Sequence, residues 1–373
     1  MGKDNNIIGR IALSMVKGLT VDIVRALPET GLSVDDFFNY EISQLCRTLN
    51  LSRNIKITDK DRKEALEIAK KEYQFVERHG IRVYSIIDED YPWLLRQLPD
   101  APIALYQLGD TDLNNEHTVS VVGTRRAKNY GYEFTKQFVS DLGGYFPDLC
   151  IISGLAYGID SAAHSAAIDS NLTTVAVMAH GLDMIYPAQN RDLAKRILKS
   201  GGAIISEYPS GTTPYAGRFL ERNRIVAGLS PLTVVVESEI KGGAMSTANF
   251  AFTYNRDVMA LPGRISDVMS GGCNHLLRKE KAHLVAAAAD VIELMDWRPL
   301  NVRIEPKQRN LFPELNGNSK RVYELLKFNS EPMSVDNLYN RTGISVPELL
   351  SVLTELEFDG IISKLPGNRY TIS

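Results

Sequence analysis

From about residue 117 to 295, seven short apolar runs alternate with segments of helical spacing. The runs are "TVSVVG", "LCIISG", "TTVAVMAHG", "GAIISE", "LTVVVE", "DVMALPG" and "AHLV". Runs that are β-branched and apolar throughout, with no polar alternation, suit strands covered on both faces. Strand and helix in regular alternation predict βαβ units, hence an α/β fold with a doubly wound, mostly parallel sheet. In such sheets ligands bind beyond the carboxyl ends of the strands. The loops that follow the apolar runs are therefore where function is to be sought.

The flanks differ. Residues 1–80 read as a small helical domain: "IIGRIALSMVKGLTVDIVRAL" breaks at Lys17–Gly18, and "DRKEALEIAKKEYQFVERHG" ends on Gly80 as a C-cap. The sheet domain is assigned to 81–297, with "IRVYSIIDEDYPWLLRQLPDAP" as a strand-bearing bridge into it. Residues 298–318 are polar, proline-bearing and aperiodic, as a linker is. Residues 319–373 predict three helices and a hairpin, the layout of a winged helix. Ser334 is the expected N-cap of the second helix, Ser345 and Glu348 are expected to form a capping box, and a Pro-Gly-Asn turn is expected in the wing.

The 373 residues carry a net charge of −3, with 44% hydrophobic and 23% charged, the mix of a globular protein. A chain that coats duplexes is strongly basic, so any nucleic-acid site here has to be a local patch. Cys46, Cys150 and Cys273 lie far apart, which argues against a disulfide framework and against zinc. No apolar run is long enough to span a bilayer, and the expected compartment is the cytoplasm.

Four loops combine glycine with a cation or a hydroxyl. In "VVGTRRAKNYG", Gly123 permits a tight turn, and Thr124, Arg125 and Arg126 follow at a helix start, where backbone amides hold anions. It is not a dinucleotide fingerprint, because GxGxxG is absent, and no Walker A motif is present. In "SGLAYGIDSAAH", Ser153, Gly154 and Gly158 permit close backbone approach, Tyr157 is expected on the surface, and Asp160 is a candidate N-cap. His164 in the next turn reads more readily as a packed histidine than a catalytic one. "SEYPSGTTPYAGRFLERNR" interleaves Tyr208, Tyr215 and Phe219 with Arg218, Arg222 and Arg224, cations for phosphates and rings for bases. The plainer alternative packs Phe219 in the core and pairs Arg222 with Glu207, Glu221 or a neighbouring acid. In "VVVESEIKGGAMSTANFA", Lys241, Gly242 and Gly243 precede a helix with Ser246 and Thr247 in its first turns, and Glu237 is the residue to watch for catalysis. Four such loops on one edge predict a long polyanion groove rather than a pocket for one small molecule.

These motifs, with "GLDMIYPAQN" and "LPG" followed by "GGCNHLL", stand in an order and spacing that resembles the DNA-processing protein A (DprA/Smf) family. The resemblance covers about residues 84–290 and implies an extended Rossmann-like domain, an N-terminal helical (SAM-like) domain and a C-terminal winged helix. It implies single-stranded DNA binding, a homodimer through the Rossmann-like domain, and loading of RecA onto incoming DNA in natural transformation. It implies no catalytic residue, no cofactor and no metal. The family's DNA-binding elements fall on Gly123–Arg125, Ser153–Gly158, Phe219–Arg224 (Asn223 among them) and Lys241–Gly243, and Arg126 and Arg218 beside them join the candidate DNA-binding set. The family has arginine where Tyr157 stands here, so a cation gives way to a ring; Lys128 adds a cation. The competing reading is a nucleoside-monophosphate glycosidase built on Glu237 and Lys241–Gly243. A third, duplex binding by the winged helix, conflicts with its third helix, which carries Glu348, Glu355, Glu357 and Asp359 and no lysine or arginine.

Overall fold

A computed structural model describes residues 2–50, 57–299, 317–329, 332–358, 361–365 and 369–372. The described chain forms two compact units, meeting in sequence at Asn301–Val302.

The first unit opens with α1 (Gly2–Met15), α2 (Val21–Glu29), α3 (Val34–Asn39), α4 (Ile42–Thr48) and α5 (Asp59–His79). The break between α1 and α2 falls at Lys17–Gly18, where Gly18 takes φ 78°. Gly80 ends α5 in the left-handed region at φ 61°, as its sequence position predicts. Then come β1 (Arg82–Ser85), α6 (Trp93–Arg96), β2 (Ala104–Leu108), β3 (Thr118–Val122), α7 (Asn129–Tyr145), β4 (Cys150–Ser153), α8 (Ile159–Asp169) and β5 (Thr173–Val177). The chain continues with α9 (Arg191–Lys199), β6 (Ala203–Ser206), α10 (Ala216–Gly228), β7 (Leu232–Val235), α11 (Gly243–Thr253), β8 (Asp257–Ala260), α12 (Gly271–Arg278), β9 (His283–Leu284) and α13 (Ala288–Met295).

The nine strands form one sheet in the order β1-β2-β6-β5-β4-β3-β7-β8-β9. Strands β3 to β9 run parallel; β2 joins β6 antiparallel and β1 joins β2 antiparallel. All seven apolar runs became strands. Each sends alternate residues to opposite faces: Val119, Val121 and Ile151 pack with α7 and α8, while Val122, Cys150 and Ile152 pack with α10, α11 and α12. The chain winds outward from β3 through β4, β5 and β6, and α10 then carries it back to β7 on the other side of β3. That reversal puts a crevice at the carboxyl ends of β3 and β7. Strand β2 escaped the sequence reading. Its buried Gln107 interrupts the apolar signature, yet the amide is fully used: it accepts from Tyr84 Oη at 3.0 Å and donates to Thr111 O at 2.7 Å.

Helices α1–α5 do not stand apart from the sheet. Ile11, Leu13, Leu27 and Phe37 share one apolar cluster with Leu105, Tyr106 and Ile205. Arg10 bridges to Asp88 at 2.9 Å, and Arg25 donates to the Leu98 carbonyl at 2.8 Å. Buried Glu72 accepts from Ser210 N at 2.9 Å and from its hydroxyl at 2.5 Å, fixing the loop between β6 and α10. The boundary at residue 80 is thus a change of secondary structure across a continuous core.

The second unit holds α14 (Gly317–Phe328), β10 (Met333–Ser334), α15 (Val335–Thr342), α16 (Val346–Phe358), β11 (Ile362–Leu365) and β12 (Arg369–Ile372), with the strands in the order β10-β12-β11. Val322, Leu326, Leu338, Leu349, Leu353 and Ile362 form its core. Ser334 caps α15, accepting from Asn337 N at 3.3 Å. The Glu348 carboxylate accepts from Asn318 Nδ2 at 2.7 Å. Most of the expected linker, 300–316, and the expected turn at 366–368 lie outside the described residues.

Because the first five helices and the sheet share a core, a chain lacking residues 1–80 should lose cooperative folding. Expected are an apolar-dye-binding, protease-sensitive product and no sharp melting transition in calorimetry.

Candidate nucleic-acid interface

A groove of about 740 Å3 lies where the winding reverses. Its walls come from the loops after β3 (Gly123, Thr124, Arg125, Arg126), β4 (Gly154, Ala156) and β7 (Glu239, Gly242, Gly243), with Phe219, Arg222 and Asn223 of α10 across from them. A smaller depression continues it past Arg125, Gly154, Tyr157, Tyr186 and Phe219. The four loops singled out in the sequence therefore converge on one edge.

The residues within them play different parts. Arg125 and Arg126 are exposed, and the Arg125 guanidinium lies over the Phe219 ring, 5.3 Å from its centroid. Phe219 is half-buried and also meets Tyr186, at 5.8 Å between ring centres, so it lines the groove rather than packing in the core. Tyr157 is 41% exposed in the smaller depression, its hydroxyl donating to Gln189. Lys241 is exposed but does not line the groove, and Lys128 is tied to Asp267 at 2.7 Å. Ser153 is fully buried, its hydroxyl donating to Val121 O at 2.6 Å. Gly158 is buried too, at φ 78°, where a Cβ would overlap the Thr124 carbonyl; it acts by letting two loops touch, Ile159 N donating to Thr124 O at 3.3 Å.

The arginine cluster of α10 divides, which corrects its reading as a single cationic patch. Arg218 folds back onto the Thr213 carbonyl and stacks on Tyr215, 4.6 Å from its centroid. Arg222 borders the groove floor but is only 4% exposed; Nη1 donates to the Gly154 carbonyl at 2.7 Å and to the Val177 carbonyl. Burial pushes its pKa down to about 10, and the nearby Asp160 carboxylate opposes that shift. Arg224 points away from the groove and pairs with Glu207 at 2.6 Å, lining a separate pocket with Asp100. Helix spacing sets Arg222 and Arg224, two apart, on different sides, whereas Arg218 and Arg222, one turn apart, share a face and differ in what each meets. Of the partners the plainer alternative offered Arg222, Glu207 belongs to Arg224, and the acid near Arg222 is Asp160.

Internal carboxylates occupy two of the four helix starts at this edge. Asp160 is not the cap of α8, a position held by Gly158; it sits in the first turn, buried, and accepts from Ala156 N at 3.3 Å. Burial raises its pKa, with Arg222 pulling against the shift. Glu237, buried beneath Gly131, accepts from Lys128 N at 2.9 Å at the start of α7 and does not line the groove. Burial raises its pKa, and the Lys128 amide opposes that shift. The starts of α10 and α11 have neither a side-chain cap nor an acid in the first turn. Pro214–Ala216 and Gly242–Ala244, which form those starts, line the groove, and nothing lies within 4 Å of where a Gly243 Cβ would be. Both starts therefore turn uncapped amides and the positive end of a helix dipole toward the groove, features that favour an anion.

His164 is fully buried, its Nδ1 hydrogen-bonded to Thr174 Oγ1 at 2.6 Å, and burial pushes its pKa down to about 3. It is a neutral packed histidine. Among the described residues no group of three or more His, Cys, Asp or Glu is placed to hold a metal, and no helix is long and apolar enough to cross a membrane. Thr247, named in the sequence as a hydroxyl near a helix start, lines the groove, as does Tyr186, which was not selected there. Tyr186 stood inside the quoted "GLDMIYPAQN", whose position after a strand was the available signal.

Residues 82–296 match the family model described as DNA recombination-mediator protein A, and residues 306–368 match that of the DprA winged helix domain. The chain is 33% identical over 334 residues to Protein Smf of Synechocystis sp., across 80% of this chain and 82% of that protein. The solved DNA processing protein A of Streptococcus pneumoniae superposes with TM-score 0.64 at 31% identity, over 78% of this chain and 97% of that one. That of Helicobacter pylori, from a structure concerned with its single-stranded DNA binding mode, gives TM-score 0.52 at 32% identity, over 58% of this chain and 97% of that one.

The split of the cluster has an energetic signature. Arg222→Met leaves two carbonyls and Asp160 buried without their partner and should cost about 3–5 kcal/mol in denaturant unfolding. Arg224→Ala, which strands Glu207, should likewise lower the melting temperature, while the salt dependence of any polyanion binding stays as in the parent chain.

Proposed function

The chain belongs to the DNA recombination-mediator protein A family, and on that premise we propose that it binds single-stranded DNA in the groove at the carboxyl edge of the sheet. We infer that it protects incoming strands there and delivers them to RecA in recombination and natural transformation, acting in the cytoplasm as a homodimer through its sheet domain. The observation that carries the DNA assignment is the meeting of two uncapped helix starts, α10 and α11, with exposed Arg125 and Arg126 on one open trough. A phosphate there receives backbone N–H donors and a guanidinium together. The binding set assigned to phosphates is Gly123–Arg126, Ala216, Asn223 and Gly242–Ala244. Gly154, Gly158 and Arg222 shape the floor, and Phe219 offers a ring.

The strand runs past loops of several strands, so a long ligand fits better than a mononucleotide. Glu237, the carboxylate a glycosidase would require, does not line the groove, and Lys128 N holds one of its oxygens at the start of α7. For the homodimer, the supporting surface is apolar and exposed: Ile240 at 58%, Val268 at 68% and Ile265 at 100%. The winged helix, whose α16 has acids and no cation, is assigned to a protein contact.

Anisotropy with single-stranded oligonucleotides over a salt series tests the reading. Arg125→Ala should weaken binding evenly across sequences and reduce the slope of log affinity against log salt by about 0.7–1. An unchanged slope in a folded variant would remove Arg125 from the site, and a parent chain with no affinity for such strands would end the proposal.

A further inference from the structure

Three tyrosines stand along the groove and its extension with much of each ring in solvent: Tyr157 at 41%, Tyr186 at 47% and Tyr215 at 51% exposed. Each is held from one side. The Tyr157 hydroxyl donates to Gln189, the Tyr186 ring leans on Phe219 at 47° between planes, and Arg218 covers one face of Tyr215 at 4.6 Å. Rings fixed in this way lose little freedom when a flat ligand settles on the open face. Apolar rings exposed along one groove are costly in water unless something covers them, and the bases of an unpaired strand present matching faces.

The charges lining the groove are nearly balanced. Its exposed cations are Arg125 and Arg126, Arg222 being committed to backbone carbonyls, and the lining also includes Asp160 and Glu239. Two neutralised phosphates on a single strand give a salt slope of only about −1.4, so a fourfold rise in salt lowers affinity about sevenfold. One stacked base contributes roughly 5- to 150-fold. Resting on the strand-binding reading above, we propose that base stacking on Tyr157, Tyr186 and Tyr215, rather than phosphate charge, supplies the larger part of the affinity. The groove then selects unpaired strands because only they expose base faces.

The test compares a thymidine oligonucleotide with an abasic sugar–phosphate strand of the same length and charge, by anisotropy at fixed salt. The parent protein should bind the abasic strand at least about tenfold more weakly. Tyr157→Ala, Tyr186→Ala and Tyr215→Ala should each weaken the thymidine strand roughly fivefold or more, with the salt slope and abasic affinity unchanged, and Tyr→Phe at each position should restore it. Equal affinity of the parent for the two strands overturns stacking and leaves strand binding intact. A variant that loses both strands in parallel removes that tyrosine from the track. Failure of the folded parent to bind either strand overturns the functional reading itself.

Discussion

The geometry of the groove depends on one buried guanidinium. Arg222 reaches from α10 to the carbonyls at the ends of β4 and β5, and so fixes the helix that returns the chain to β7 against the strands it has left. Its neighbour Gly154 carries no Cβ because the guanidinium occupies that space. A buried charge is tolerable only when its hydrogen bonds are met and a counter-charge is near. Asp160 supplies the counter-charge, and in doing so neutralises the start of α8. What the sequence presents as a binding cluster is, at its centre, the joint that allows a groove to exist.

The division between structural and available charge follows from this. Asp160 and Glu237 spend two helix starts on internal order, while α10 and α11 begin with small or neutral residues and keep theirs open. Arg125 rests on a phenyl ring instead of a carboxylate. A cation held by a π face keeps its N–H donors free, whereas one held by an acid does not. The surface that remains is short of net charge and well supplied with rings.

The sheet was legible in the sequence because buried parallel strands leave continuous apolar runs, and all seven were read. Gln107 hid β2, since an amide satisfied by Tyr84 and Thr111 looks the same in sequence as one facing water. The loops were legible as glycine-bearing turns after strands, and their convergence followed from topology. The fates of Arg218, Arg222 and Arg224 were not legible. Spacing along a helix tells which side a residue faces, but not whether a carbonyl, a ring or an acid waits there. Tyr186 was missed for the opposite reason: a lone tyrosine in a long loop carries no spacing at all, and only the fold brings it beside Phe219.

Glu72 has a wider consequence. By holding Ser210, α5 braces the segment that leads into α10, so the approach to the trough is propped by a helix that does not line it. A displacement of α5 would be passed through Glu72 to Ser210 and the loop before α10. An amino-terminal helix is thus tied by two hydrogen bonds to the segment that sets where α10 begins.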